Sequence, residues 1–136
     1  MTETEVQIEL SRYIQSHYGQ VLFHNDFGSG TRLTFSQAKR QRAMNPVRGF
    51  PDLQILEPIG RWNGCFLEVK KAGTKILRKD GLLVADEHIR EQADYIIELR
   101  RRGYWADFAI GLEQAKSLVD AYMKGRASEK WANLDS

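Results

Sequence analysis

The segment GFPDLQILEPIGRWNGCFLEVKK, residues 49–71, decides the fold because it has the pattern of two β-strands joined by a turn. Side chains alternate in direction along a strand, so Glu68 and Lys70 share one face of the second strand. The first strand begins at Asp52. If the turn is centred on Gly60 and contains no bulge, Asp52 and Glu68 lie equally far from it along the chain and oppose each other.

This pairing brings two carboxylates together. Side chains on opposed residues point the same way, with Cβ atoms about 5 Å apart. Two carboxylates at that distance cannot both stay ionised without compensation. A divalent cation would compensate them, because Mg²⁺ and Mn²⁺ prefer hard oxygen ligands. Lys70 alone could also do so within an exposed ionic cluster, and the hairpin pattern leaves both alternatives open.

The composition indicates one ordinary globular domain. The chain has 136 residues, of which 42% are hydrophobic, and this is enough for one core. No apolar run approaches the ~20 residues of a membrane helix. The first residues, MTETEVQ, are acidic where a signal peptide is basic, so we expect a cytoplasmic protein without a membrane partner. Cys65 is the only cysteine, which excludes an intrachain disulfide and a thiolate zinc cluster.

The remaining elements follow from hydrophobic periodicity and capping signals. Helices are predicted over residues 2–17, 86–102 and 112–124, and strands over 21–24 and the stretch YWADFAIG. With the hairpin, the order is α-β-β-β-α-β-α. This order predicts the α/β (α+β) class, with a small mixed β-sheet flanked by helices.

Two segments have no clear period. Residues 25–49 form a long polar and basic connection, in which only TFSQAKRQRAMN fits a helix of one or two turns. Residues 126–136 are expected to be a flexible tail, in which Trp131 could dock on the domain.

Basic residues crowd the segments on either side of the hairpin. Solvated loop charge is the ordinary explanation of such clusters. A rim that contacts nucleic-acid phosphates is the alternative that would give them a function. The residues assigned to such a rim are Lys39, Arg40, Arg42, Arg48, Lys71 and Lys75.

The order of these motifs resembles the VRR-NUC family of the PD-(D/E)XK nuclease superfamily. The matching stretches are ETEVQ from residue 3, GFPDL from residue 49, EVK from residue 68, EQ from residue 91 and GY from residue 103. The resemblance covers residues 3–124 and implies a restriction-endonuclease-like core, with a nuclease domain over residues 1–125. The chain departs from the family between Ile76 and Glu87 and in the basic segment before Gly49, which leaves the substrate preference open.

The resemblance also implies roles for individual residues. Asp52 and Glu68 would ligate Mg²⁺ or Mn²⁺ together with the backbone carbonyl of Val69, and Lys70 would assist catalysis. A glutamine on the later helix, here Gln92, would face the site, although periodicity alone favours a helix-surface glutamine. No partner can be assigned to His88.

A glutamate of the first helix would support the metal, in some members of the family through water. Glu5 occupies the capping-box position after Thr2 and continues toward a solvent face. Glu3 continues the apolar stripe of Val6 and Leu10, so we assign the role to Glu3. Helix N-termini attract carboxylates through their dipole alone, so the choice between the two stays open.

Three functions fit these features. The first is a metal-dependent DNA endonuclease that hydrolyses phosphodiester bonds, expected to act as a homodimer. The second is a catalytically silent nucleic-acid-binding module on the same fold, and the third is a protein-interaction or inhibitory domain. The Asp–Glu–Lys set favours the first, because clustered carboxylates repel phosphate in a pure binding module. The sequence leaves open whether the substrate is branched or junction DNA, a flap, a nick or plain duplex.

Overall fold

The computed structural model describes residues 1–26, 33–128 and 134, and these form helices around one four-stranded sheet. Its strands lie in the order β1 (Phe23–Asn25), β2 (Leu53–Ile55), β3 (Cys65–Lys70) and β4 (Trp105–Ile110). β1, β2 and β3 are antiparallel neighbours, whereas β3 and β4 are parallel. The predicted α+β class with a small mixed sheet is therefore confirmed.

The register of the hairpin is the predicted one. Leu53 pairs with Leu67 in the antiparallel ladder between β2 and β3. Moving one residue outward along both strands brings Asp52 opposite Glu68, at the end of the sheet away from the turn. The two carboxylates thus belong to the same place in the fold.

The turn itself differs from the prediction. Ile59 pairs with Trp62, and each backbone N–H donates to the other residue's carbonyl, at 3.1 and 3.0 Å. Gly60 takes a positive φ of 60° at the first central position, as a two-residue hairpin turn requires. The chain between Ile55 and Ile59 is one residue longer than the chain between Trp62 and Cys65, so the assumption of no bulge was wrong. The extra residue restores the register before the site is reached.

Helices α1 (Glu3–His17) and α4 (Gly111–Met123) cover one face of the sheet. Thr2 caps α1 through the predicted capping box with Glu5. Apolar side chains of these helices and of the strands form the larger core, which includes Val6, Leu10, Ile14, Leu53, Leu67, Val69, Val119 and Tyr122. Asp120 fastens α4 to α1 by accepting hydrogen bonds from Tyr13 and Tyr18.

Helix α3 (Glu87–Arg101) covers the opposite face, and its N-cap is Asp86, the first residue of the helix predicted over residues 86–102. Its buried residues pack against β3 and β4 in a second core, which includes Phe66, Ile89, Ala93, Ile96, Ala106 and Phe108. Because both faces of the sheet are covered, every residue of β3 is buried. The alternative of an exposed ionic cluster at Glu68 and Lys70 was therefore wrong.

Helix α2 (Phe35–Met44) is an element beyond the predicted order. Thr34 and Gln37 form a capping box at its start, which explains why the segment is helical for longer than one or two turns. None of its residues is buried. No helix in the described part of the chain is both long and apolar enough to cross a membrane.

Most of the last segment, including Trp131, lies outside the described residues, so the flexible tail stays a prediction. Leu134 is described and is buried in the core on the α3 side.

Candidate active site

Four polar side chains meet at the end of the sheet: Asp52, Glu68, Lys70 and Gln92. Each is between 2% and 5% exposed. Burying a charged side chain costs several kcal/mol unless it has partners, so these groups need specific contacts. The structure thus brings together the Asp, Glu, Lys and Gln that the sequence analysis selected from three separate segments.

Backbone contacts fix Asp52. The N–H of Val69 donates to Asp52 Oδ2 over 2.9 Å, which ties the carboxylate to the neighbouring strand. The N–H of Asp26 donates to the backbone carbonyl of Asp52 over 2.7 Å and continues the pairing toward β1. The position of this carboxylate is therefore set by the sheet.

Gly49 lets the segment before Asp52 approach α3. Its φ is 92°, in the left-handed region that favours glycine. A Cβ at this position would lie 2.6 Å from the carbonyl oxygen of Glu91. The glycine of GFPD therefore allows the loop to contact the helix at the turn that carries Gln92.

Glu68 lies at the centre of the group. Its Oε1 accepts a hydrogen bond from Gln92 Nε2 at 2.7 Å and lies 3.9 Å from Lys70 Nζ. Burial, followed by the negative charge of Asp52, raises the pKa of Glu68 far above its ordinary value, and Lys70 opposes this change. One ammonium group is therefore not enough to stabilise both carboxylates in their ionised forms.

Two buried oxygen atoms of the site have no hydrogen-bond partner among the described residues. They are Glu68 Oε2 and Gln92 Oε1. Unpartnered buried acceptors are rare in proteins and point to a bound cation or water. Hard oxygen donors beside Asp52 are the chemistry that Mg²⁺ or Mn²⁺ requires, so the residues fit such an ion.

The described residues contain no group of three or more His, Cys, Asp or Glu side chains arranged to hold a metal. A cation at this site would therefore depend on Asp52 and Glu68 together with backbone, amide or water oxygens. Mg²⁺ is commonly held in this way, by one or two carboxylates and several waters.

The structure separates the two glutamates of α1. The side chain of Glu5 lies 3.2 Å from Thr2 Oγ1 in the capping box. Glu3 is half-buried, and its negative charge is among the causes that raise the pKa of Glu68. Glu3 is thus within electrostatic reach of the site, while its support of a metal stays a prediction.

His88 is a contact that the sequence analysis missed. Its Nε2 lies 3.1 Å from Gln92 Nε2. Residues four apart on a helix lie on the same face, so the spacing of His88 and Gln92 was the available signal. It could be used only once Gln92 was known to face inward.

The six basic residues assigned to phosphate contacts are exposed. Four lie on α2 or shortly after it, and two follow the end of β3. None of the six forms an ion pair within the described ranges. Their charge is therefore directed to solvent, and their role in binding stays a prediction. They are Lys39, Arg40, Arg42, Arg48, Lys71 and Lys75.

A solved structure described as a VRR_NUC domain protein has the same fold. It matches with a TM-score of 0.70 over 98% of both chains, at 23% sequence identity. No protein-family model matches this chain. No curated protein is detectably similar to it in sequence. The predicted VRR-NUC fold is therefore confirmed, and similarity at this identity establishes the fold alone.

Proposed function

We propose that this protein is a metal-dependent nuclease that hydrolyses phosphodiester bonds in DNA. The observation that carries the proposal is the burial of Asp52, Glu68 and Lys70 in one site, where Glu68 Oε2 lacks a hydrogen-bond partner among the described residues. Two buried carboxylates with one ammonium are costly as scaffold. They are useful if a cation is held between them.

Asp52 and Glu68 would hold Mg²⁺ or Mn²⁺, with the Val69 carbonyl as a further ligand and Glu3 acting through water. When bound, such a cation lowers the pKa of coordinated water and offsets negative charge on the phosphate. The N–H of Val69 and the amide of Gln92 hold the two carboxylates in place. These contacts would keep the ligand oxygens ordered before the ion arrives.

Lys70 would act on the phosphate. Its ammonium is buried beside Glu68, where the local dielectric is low and a positive charge acts strongly. In this position it can stabilise negative charge that develops on a phosphate oxygen. Lysine suits this role because its flexible stem carries a compact point charge.

DNA is the proposed substrate because exposed cationic side chains lie in the segments on either side of the hairpin, whose carboxylates would otherwise repel phosphate. The chain has a net charge of +2, so attraction must come from local clusters rather than from the whole molecule. We further propose that the protein is selective for branched or junction DNA. We also propose that it acts as a homodimer, which would allow it to cut both strands. A panel of junction, nicked and duplex substrates tests the first, and sedimentation tests the second.

Cleavage assays with Mn²⁺ and with EDTA test the proposed function. The wild type should cut DNA only with the metal, and Asp52→Ala and Lys70→Ala should each lower the rate by at least about 100-fold. Lys124→Ala, at an exposed position, is the control and should keep the wild-type rate. Circular dichroism shows whether each variant is folded. Cleavage in EDTA, or by folded Asp52→Ala, would overturn the proposal.

Negative results would select between the other two functions. Salt-dependent DNA binding without Mn²⁺ uptake or cleavage would identify a catalytically silent binding module. No DNA binding at low salt would favour a protein-interaction or inhibitory domain.

A further inference from the structure

His88 is an exposed histidine whose ring contacts Gln92 of the buried site. It lies in the first turn of α3, one turn before Gln92 on the same helical face. Gln92 is 5% exposed and contacts Glu68, so a short chain of groups runs from solvent to the centre of the site. No role for His88 follows from the proposed function itself.

The position of the Gln92 amide nitrogen indicates which atoms donate. Gln92 Nε2 lies 2.7 Å from Glu68 Oε1 and 3.1 Å from His88 Nε2. An amide nitrogen carries two hydrogens, so it can donate to both atoms at once. His88 Nε2 must then accept, which requires a neutral ring with its hydrogen on Nδ1.

We infer that His88 is a positioning residue, which holds the side-chain amide of Gln92 with its nitrogen against Glu68 and leaves Gln92 Oε1 available to a ligand of the site. This inference rests on the proposed function. With the hydrogen of His88 on Nδ1, an amide turned by half a rotation would place its oxygen against the acceptor nitrogen of His88 and lose that hydrogen bond. His88 therefore adds a second acceptor that selects the same orientation as Glu68.

His88 is not needed for the fold around it. Asp86 caps α3 by accepting from the N–H of Ile89 over 3.1 Å, and Ile89 supplies the apolar contact of the first turn. The exposed ring of His88 is outside both cores. Replacing it should therefore leave the protein folded and change the amide of Gln92.

Hydrogen exchange of the Gln92 side-chain amide, measured by NMR without metal, tests the positioning role directly. His88→Ala should raise the exchange rate about tenfold, because one N–H loses its partner and becomes open to water. His88→Gln should restore slow exchange, since its side-chain oxygen can accept. The nitrogen spectrum of His88 should show Nε2 without hydrogen. Unchanged exchange in His88→Ala, or a hydrogen on Nε2, would overturn the inference.

Calorimetric titration with Mn²⁺ connects this contact to the site. His88→Lys offers only donors and should weaken Mn²⁺ binding about tenfold, within the range known for outer contacts of metal sites. Ala85→Lys adds the same charge at an exposed position before the helix and is the matched control. If both variants weaken Mn²⁺ binding equally, the added charge alone explains the effect, and the inference is rejected.

The two proposals fail in different ways. A wild type that binds no Mn²⁺ would refute the proposed function, whereas the amide exchange of Gln92 decides the contact with His88 without any metal. Normal Mn²⁺ binding in the wild type with unchanged exchange in His88→Ala would reject only the inference about His88.

Discussion

The β2–β3 hairpin and helix α2 both carry charged side chains, in opposite environments. Glu68 and Lys70 in the hairpin are 3% and 5% exposed, and each has a charged neighbour. Lys39, Arg40 and Arg42 on α2 are all exposed, and no residue of that helix is buried. One region has enclosed its charges within the fold, while the other presents them to solvent.

The difference shows what each set of charges can do. Ions in a protein interior cost several kcal/mol to desolvate, so a fold that buries them needs close partners or a ligand. Exposed charges cost little and are screened within about 10 Å at moderate salt. Buried charges therefore indicate local chemistry, whereas the charges of α2 are suited to attracting a polyanion at a distance.

The largest expected effect lies at Gly49, where the exposed segment meets the buried site. Gly49→Ala would place a Cβ 2.6 Å from the Glu91 carbonyl oxygen, at a φ of 92°. We expect the free energy of unfolding to fall by about 2–4 kcal/mol in urea titrations, from strain and overlap together.

A second glycine separates these two causes. Gly73 has a similar φ of 86°, but nothing lies within 4 Å of an added Cβ. Gly73→Ala should therefore cost only about 1 kcal/mol, the contribution of backbone strain. Equal losses in Gly73→Ala and Gly49→Ala would show that the loop does not contact α3 closely.

Neutralising α2 should produce the next largest effect, on binding and not on stability. The combined change of Lys39, Arg40 and Arg42 to Gln should weaken DNA binding about tenfold and reduce the salt slope of log K by about 2–3. The free energy of unfolding should change by less than about 0.5 kcal/mol, because these side chains are exposed. Fluorescence anisotropy over a salt series measures the slope.

A matched triple variant tests whether the reduced salt slope depends on the position of the removed charges or only on their number. Three exposed basic residues on α1 and after α4 are changed to Gln to remove the same charge elsewhere: Arg12, Lys124 and Arg126. An equal reduction in slope would contradict a specific role for α2.

The smallest expected effect concerns Asp120, a charge of intermediate exposure. Burial alone raises the pKa of Asp120, but hydrogen bonds from Tyr18 and Tyr13 and the charges of Lys124 and His17 lower it below 3.8 on balance. Because the pKa of Asp120 is lowered in the folded protein, its carboxylate stabilises the fold fully at a pH above its ordinary pKa. This stabilisation is lost as the pH falls through the pKa of the folded state.

Replacing Asp120 isolates this titration. The stability advantage of the wild type over Asp120→Asn should be about 0.5–1 kcal/mol near neutral pH and should shrink toward about pH 2.5. Urea unfolding at both pH values measures it. An advantage that does not change with pH would show that the carboxylate charge of Asp120 contributes nothing.

The sequence predicted the hairpin well because its information is local. The hairpin is fixed by alternating residues and a turn that contains glycine. The starts of α1 and α3 are fixed in the same local way, by the capping residues Thr2 and Asp86. The predicted register of Asp52 and Glu68 is correct although the turn is not centred on Gly60, because the extra residue between Ile55 and Ile59 compensates.

Other features depend on tertiary contacts and could not be obtained in this way. Burial of Glu68 and Lys70 depends on α3 covering the second face of the sheet, which their alternation does not reveal. The inward direction of Gln92 came from a family resemblance, and the contact with His88 follows only from that direction. The length of α2 was underestimated because the cap formed by Thr34 and Gln37 was not recognised.

Calorimetric titration of Mn²⁺ into the wild type and Glu68→Gln tests the central claim most directly. Glutamine keeps the shape of the side chain and removes its charge. We predict binding to the wild type, at least about tenfold weaker binding to Glu68→Gln, and unchanged binding to the exposed control Glu98→Gln. No binding to the wild type, or equal affinity in Glu68→Gln, would contradict a cation site between the two carboxylates.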